Sequence, residues 1–366
     1  KREVDQDEAF KQAWEILVDK NPLPSVCGRV CPNLCQVGCA LSTRNGAISI
    51  GKLALYTAGG GLSPFHTMPV CLDVGTDNEK LLNDPNYLGV HRRRLTGEAY
   101  FDMLDRFVDS VERRWPKAVI QWEDFAKDVA FKVLERYQHK VPCFNDDIQG
   151  TGAVVLAGLL SGCKKVGQKL SEQRIVVVGA GAGGVGVARA IQEGLVREGL
   201  SREQARRQMF VIDAAGLVIE DLLDADSYQL SVSQVADTYS DWNIAGDRPS
   251  LMEVLDHAQP TILLGLTGVG GLFTQAIVER MAANCEHPMI FPLSNPTANC
   301  EATPEEIIAW TDGKALVAAG SPFAPVSGGG RVFVPGQCNN MYICPGVGMG
   351  GVTFRIRRMT DRMFFA

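Results

Sequence analysis

Two acidic pairs in the sequence could bind a metal ion. Glu123 and Asp124 follow the segment IQW, and Asp146 and Asp147 follow CFN. Several carboxylates are costly to bury together unless a cation neutralises them, and carboxylate oxygens are the ligands that Mg²⁺ and Mn²⁺ prefer. Each pair taken alone is more often a solvated turn or a helix cap. The pairs therefore predict a metal site only together with the sequence around them.

A glycine-rich loop could hold a dinucleotide. The β-branched run RIVVV leads into Gly179-Ala-Gly181-Ala-Gly-Gly184, and a helical segment follows. This is the G-x-G-x-x-G pattern in its strand–turn–helix setting. Gly179 would permit the tight turn, and Gly181 would let the backbone approach a pyrophosphate. Gly184 would allow the helix to pack closely on the strand. The helix N-terminus would bind the phosphates.

Asp213 is the predicted partner of the adenosine ribose, because it ends the next predicted strand, MFVID. It lies further along the chain than the usual spacing of about 20 residues, and a helical segment at 201–208 accounts for the excess. The alternative is an acid that caps a turn. With Ala214 next and no adjacent Arg or Lys, Asp213 would repel a 2′-phosphate. We therefore expect NAD to be preferred, with NADP as the alternative.

The elements that position these residues alternate between strand and helix from near residue 151. The predicted strands are RIVVVG, MFVID, TILLG, MIFPL and ALVAAG, with helical segments between them. This alternation favours a parallel sheet with crossover helices, an α/β fold of the Rossmann type. Helical periodicity also marks residues 101–114, and the charged N-terminus predicts a short amphipathic helix.

Composition narrows the function classes. The 366 residues suggest two domains of ordinary size, and 46% hydrophobic residues suffice for a buried core. A net charge of −6 argues against a nucleic-acid partner. No apolar stretch approaches the roughly 20 residues needed to cross a bilayer, and the N-terminus lacks the core of a signal peptide. We expect a cytoplasmic or organelle-matrix protein without a membrane partner.

Eight segments together resemble malic enzymes, in their order and nearly their spacing, over about residues 51–366. They are GKLALYTAGGG, MPVCLDVGTDN, DPNYLGV, QWEDF, FNDDIQGTGAV, LSNPT, ALVAAGSPF and PGQCNNMYICPG. The resemblance implies conversion of malate and NAD(P)⁺ to pyruvate, CO₂ and NAD(P)H with Mg²⁺ or Mn²⁺. It also implies a homo-oligomer, a dimer or a tetramer.

The resemblance assigns roles by position. Lys52 matches the base that takes the proton of the malate C2 hydroxyl, and Asp146 matches the carboxylate that hydrogen-bonds this lysine. Asn295 and Asn339 match amides that hold the substrate carboxylates. Three carboxylates match the metal ligands: Glu123, Asp124 and Asp147. Malic enzymes also have an N-terminal tyrosine acid, a malate-binding arginine and C-terminal helices, none of which we find here, so we expect weakened catalysis.

The first 50 residues lie outside this resemblance to malic enzymes. The segment that ends in GAISIGKL resembles the iron–sulfur domain of glutamate synthase small subunits and dihydropyrimidine dehydrogenases, and it carries a C-x₃-C-x₃-C-x₃-C series. Thiolates suit iron–sulfur clusters because they are soft ligands, with zinc or free thiols as the alternatives. The candidate ligands are Cys27, Cys31, Cys35 and Cys39. The other seven cysteines are scattered, and we expect them to be buried thiols.

Three domains are therefore predicted: a cysteine-rich, helical block at 1–50, a partial α/β substrate and metal domain at 51–148, and an NAD-binding domain at 149–366. The leading hypothesis is a decarboxylating malate dehydrogenase. The alternatives are a catalytically weak dinucleotide-binding module and an electron-transfer fusion.

Overall fold

The computed structural model of the chain describes residues 68–328 and 331–364. The predicted Lys52 and the four candidate cluster cysteines lie outside these residues. Two compact units are present, and among the described residues one comprises 68–120 and 344–357. The other comprises 121–343 and 358–364.

The strands are β1 (Ile120–Trp122), β2 (Cys143–Asn145), β3 (Ile175–Val178), β4 (Met209–Asp213), β5 (Gly216–Leu217), β6 (Ile262–Gly265), β7 (Met289–Pro292), β8 (Leu316–Ala319), β9 (Val326–Gly328), β10 (Arg331–Phe333) and β11 (Gly336–Gln337). The helices are α1 (Glu79–Leu82), α2 (Gly97–Arg114), α3 (Lys127–Tyr137), α4 (Thr151–Val166), α5 (Ala182–Arg197), α6 (Arg202–Arg207), α7 (Leu251–Ala258), α8 (Gln275–Asn284), α9 (Pro304–Trp310), α10 (Cys344–Thr353) and α11 (Asp361–Phe364). A turn of π-helix spans Asp146–Gly150 and runs into α4.

The larger unit is built around one sheet with the strand order β11-β8-β7-β6-β3-β4-β5. Its neighbours pair in parallel, except that β5 pairs with β4 antiparallel. All five predicted strands are in this sheet, as β3, β4, β6, β7 and β8. The α/β fold with a mostly parallel sheet is confirmed.

Alternate side chains of β3 enter separate apolar clusters. Ile175 and Val177 pack with the apolar residues of α4 and α5, whereas Val176 and Val178 pack with those of α7, α8 and α9. This follows from the strand geometry, in which successive side chains point to opposite faces. A sheet covered on both faces needs continuous apolar strands, which is why the predicted strands were recognisable as uninterrupted apolar runs.

The smaller unit contains the amphipathic helix α2, whose buried side chains are Leu104, Val108 and Val111. Their spacing places them on one face of the helix, as the periodicity of residues 101–114 predicts. Among the described residues, no helix is both long and apolar enough to cross a membrane.

Candidate active site

The glycine-rich loop joins β3 to α5 and has little room for side chains. Gly179 has a φ of +116°, and a Cβ added to it would lie 2.3 Å from the carbonyl oxygen of Leu266. Gly181 is the N-cap of the 16-residue helix α5. A Cβ on Gly184 would lie 1.7 Å from the carbonyl oxygen of Gly179. The loop is therefore folded back on itself, and neither Gly179 nor Gly184 has room for a side chain.

The loop lies at the point where the order of the sheet reverses. From β3 the chain adds β4 on one side and later β6 on the other. In open α/β sheets, ligands bind beyond the carboxyl ends of the strands at such a switch point. Gly179 follows β3 and Leu266 follows β6, so both loops border this crevice. The free N–H groups at the start of α5 can bind an anion there.

The acidic segment 146–150 packs against the same helix. A Cβ on Gly186 would lie 2.5 Å from the carbonyl oxygen of Ile148, and one on Gly183 would lie 3.8 Å from that of Asp147. Only glycine at 186 allows the π-helical turn to approach α5 this closely. The fold thus brings the second acidic pair next to the first turns of the predicted dinucleotide helix.

Asp146 is fully buried and is held by two amide side chains. The Nε2 of Gln121 donates to its Oδ2 at 2.8 Å, and the Nδ2 of Asn340 donates to its Oδ1. These donors offset the cost of burying a carboxylate. Neither Gln121 nor Asn340 was among the predicted site residues, although both lie inside the segments QWEDF and QCNN that suggested the site.

A hydrogen bond joins the two acidic pairs: the backbone N–H of Asp124 donates to Oδ2 of Asp147 at 3.0 Å. Asp124 is exposed and has a φ of +62°, and Glu123 and Asp147 are partly buried. Within residues 68–328 and 331–364, no three His, Cys, Asp or Glu side chains converge in a metal-binding arrangement. The oxygen donors and the adjacency of the pairs fit a hard divalent cation, and the ligand set stays a prediction.

The two asparagines predicted to bind substrate lie in different environments. Asn295 is exposed in the loop that follows β7. Asn339 is buried, and its amide donates to the carbonyl oxygen of Gly320 at 3.1 Å and accepts from the N–H of Met341 at 3.1 Å. The amide that contacts Asp146 belongs to the neighbouring Asn340. To bind the substrate, the side-chain amide of Asn339 would have to hydrogen-bond the substrate in addition to the backbone groups of Gly320 and Met341.

Asp213 has a basic partner that its sequence neighbours do not provide. Its Oδ1 accepts from the N–H of Ala215 at 2.7 Å, which is the turn cap considered as the alternative. Its Oδ2 forms an ion pair with Nη1 of Arg248 at 3.4 Å, 35 residues further along the chain. No Arg or Lys is adjacent to Asp213 in the sequence, and this partner comes from a distant segment.

Glu301 is a fully buried carboxylate that sequence reasoning missed. Its Oε1 accepts from the backbone N–H and the hydroxyl of Thr267 at 2.9 and 2.8 Å, and from the hydroxyl of Ser294 at 2.5 Å. It thereby joins the loops that follow β6 and β7. No motif distinguishes it in the sequence, because ordinary Glu residues follow it in the same segment.

The described cysteines include several unreactive thiols. Burial raises the pKa of Cys143, Cys163 and Cys300 to about 11 and that of Cys338 to about 12. The thiolate is the nucleophilic form, so these groups are unsuited to nucleophilic catalysis at neutral pH. Cys71 is exposed, which is an exception to the expected burial.

The loop, the switch point and the parallel sheet are the features of the dinucleotide-binding α/β fold class. The family profile described as "Malic enzyme, NAD binding domain" matches residues 148–366, and the profile "Malic enzyme, N-terminal domain" matches 40–138. The chain belongs to the malic enzyme family. A third profile, "Dihydropyrimidine dehydrogenase domain II, 4Fe-4S cluster", matches residues 3–61.

Curated relatives agree with this assignment. An "NAD-dependent malic enzyme" of Shewanella denitrificans is 48% identical over 319 residues, which are 87% of this chain and 57% of the relative. One of Aliivibrio fischeri is 48% identical over 316 residues, or 86% of this chain and 56% of the relative. The chain therefore spans just over half the length of these relatives.

Solved structures support the fold. The malic enzyme of Pyrococcus horikoshii has a TM-score of 0.61 at 24% identity, covering 96% of this chain and 75% of that one. The malic enzyme of Entamoeba histolytica has a TM-score of 0.60 at 23% identity, and the match covers 88% of this chain and 59% of that one.

Proposed function

We propose that the protein catalyses the oxidative decarboxylation of malate to pyruvate and CO₂, with NAD as the preferred electron acceptor. The observation that carries this proposal is the close packing of the acidic turn 146–150 against α5. A Cβ added to Gly186 would lie only 2.5 Å from the carbonyl oxygen of Ile148. Hydride transfer requires substrate and nicotinamide side by side, and this packing brings the acidic segment next to the predicted dinucleotide site. The relatives named NAD-dependent malic enzymes support the same reaction.

The metal ligands in this proposal are Glu123, Asp124 and Asp147. Their support is the hydrogen bond from the N–H of Asp124 to Asp147, which joins the two acidic segments. A bound Mg²⁺ or Mn²⁺ would supply Lewis acidity at the malate hydroxyl and ketone oxygens.

The protein's own groups would orient malate and move its proton. We assign the base to Lys52, whose pKa must be lowered by burial or a nearby cation for it to act near neutral pH. Asp146 would hold this lysine, and its two amide donors support the role because they fix the carboxylate in one position. Asn295 and Asn339 would bind the substrate carboxylates.

The dinucleotide site in this proposal comprises Gly179, Gly181 and Gly184 for the pyrophosphate and Asp213 for the adenosine ribose. The close approach of Gly184 to the carbonyl oxygen of Gly179 supports it, because α5 can pack this tightly on the turn only without a side chain at position 184. We further propose domain boundaries at residues 50/51 and 148/149 and a homo-oligomer, which sedimentation of the purified protein would test.

Asp147→Asn tests the proposed reaction. The variant should lose Mn²⁺ binding in a calorimetric titration but keep NADH binding, because the glycine loop is a separate site. Its rate of NADH production from malate should fall at least about a hundredfold, since metal polarisation is worth several kcal/mol. The matched control is Asp224→Asn, which removes an exposed carboxylate outside the site.

Two results would contradict the proposal. Unchanged Mn²⁺ affinity in Asp147→Asn would remove this residue from the ligand set. A wild-type protein that binds NADH and Mn²⁺ but produces no NADH from malate would favour the alternative function, a dinucleotide-binding module without turnover.

A second function, electron transfer, is favoured by the iron–sulfur profile over residues 3–61. We propose that the series at Cys27, Cys31, Cys35 and Cys39 binds one cluster, because four thiolates complete one [4Fe–4S] site. Anaerobic reconstitution should therefore yield fewer than two clusters per chain by iron and sulfide analysis. Two full clusters would show that further ligands exist, and zinc without iron would exclude electron transfer by this block.

A further inference from the structure

The carboxylate at the end of β4 and the guanidinium of Arg248 form a pair beside the predicted ribose position. Asp213 Oδ2 and Arg248 Nη1 are 3.4 Å apart, with side-chain exposures of 28% and 20%. In this fold class a strand-end acid hydrogen-bonds the 2′-hydroxyl of NAD, whereas a nearby arginine accommodates the 2′-phosphate of NADP. This chain places both groups at one site.

The backbone of Arg248 is fixed relative to the strand end. The next residue, Pro249, is buried, and its carbonyl oxygen accepts from the N–H of Leu217 in β5 at 2.8 Å. One residue further on, Ser250 begins α7 with a capping box that it shares with Glu253. The two residues that follow Arg248 are therefore anchored, and a ligand at the ribose site would meet a guanidinium that its ion pair with Asp213 already holds in place.

The pair also weakens the repulsion that Asp213 alone would exert on a phosphate. An arginine beside the carboxylate offsets its charge, and a planar guanidinium binds phosphate oxygens in a bidentate manner. A 2′-phosphate can thus replace Asp213 as the partner of Arg248, whereas a 2′-hydroxyl leaves the ion pair intact.

We propose that Arg248 is a specificity-determining residue that binds the 2′-phosphate of NADP, so that the site accepts NADP in addition to the preferred NAD. This inference rests on the proposed dinucleotide site and assigns to it a second cofactor. It does not require turnover of malate, since it concerns binding alone.

Titration of the full-length protein with NADPH and NADH, followed by their fluorescence, tests the inference. Arg248→Leu should lower NADPH affinity by about ten- to hundredfold, as expected for loss of a hydrogen bond to a charged group. NADH affinity should change by less than about threefold, a shift well below 1.4 kcal/mol. Arg248→Lys keeps the positive charge and should restore part of the NADPH affinity.

A matched control is Arg206→Leu, because Arg206 forms an ion pair with Glu220 and has a similar side-chain exposure of 22%. It should affect both cofactors alike. Equal losses of NADH and NADPH affinity in Arg248→Leu would show a structural role and overturn the inference, as would an unchanged NADPH affinity. A wild-type protein that binds neither cofactor would overturn the proposed function as well, which distinguishes the two failures.

Discussion

Replacing Gly184 with alanine is expected to destabilise the larger unit by about 3 kcal/mol, at the upper end of the usual cost of overpacking. The added Cβ would lie 1.7 Å from the carbonyl oxygen of Gly179. This contact involves backbone on both sides, so no side-chain rotation can relieve it. Either α5 moves away from β3 or the loop opens, and both changes disturb the predicted pyrophosphate site. We therefore also expect NADH binding to be lost.

Gly183→Ala is the matched control for stability, because it adds the same methyl group to the same helical turn. Its Cβ would meet Leu266 Cδ2 at 3.6 Å and the carbonyl oxygen of Asp147 at 3.8 Å, which are ordinary contacts. Alanine favours a helix over glycine by about 1 kcal/mol, so this variant should be as stable as the wild type or more so. Urea denaturation would compare the variants, and equal midpoints for the two would exclude the packing argument for Gly184.

The local part of the fold is readable in the sequence because it depends on residues close together in the chain. The five predicted strands are covered on both faces, with only part of β8 and the end of β4 partly exposed, and this requires the apolar runs that identify them. The positions of Gly179 and Gly184 could be interpreted for the same reason, since strand, turn and helix follow one another directly. The acidic pairs were assigned to one site by family resemblance. The hydrogen bond between Asp124 and Asp147 is compatible with that assignment.

The missed residues depend on contacts that are distant in sequence. Arg248 reaches Asp213 across 35 residues, and Asn340 reaches Asp146 across 194. No periodicity or motif spacing encodes such pairs, because the relative placement of the segments is set by the packing of the sheet and its helices. The sequence therefore predicted a candidate site, but not the partners that neutralise or orient its charges.

Glu301→Ala is expected to show how strongly the crevice depends on one of these long-range contacts. The carboxylate is fully buried, and its removal would leave the N–H and hydroxyl of Thr267 without the acceptor that they share. The hydroxyl of Ser294 would lose its acceptor as well. An unsatisfied buried donor costs about 1–3 kcal/mol. This applies to the buried hydroxyl of Ser294, whereas Thr267 is partly buried and its donors can reach water. A loss of about 1–3 kcal/mol is therefore expected.

The consequence should extend to ligand binding, because Thr267 and Ser294 belong to the loops that follow β6 and β7 at the carboxyl edge of the sheet. Glu301→Gln keeps the side-chain volume and one acceptor oxygen, so it should retain more stability and NADH affinity than Glu301→Ala.

The exposed Glu305 at the start of α9 is the surface control, and Glu305→Ala should cost no more than about 1 kcal/mol through the helix dipole. Urea denaturation and NADH titration of the three variants would measure these effects. If Glu301→Ala were as stable as Glu305→Ala, the buried carboxylate would not be what joins the two loops.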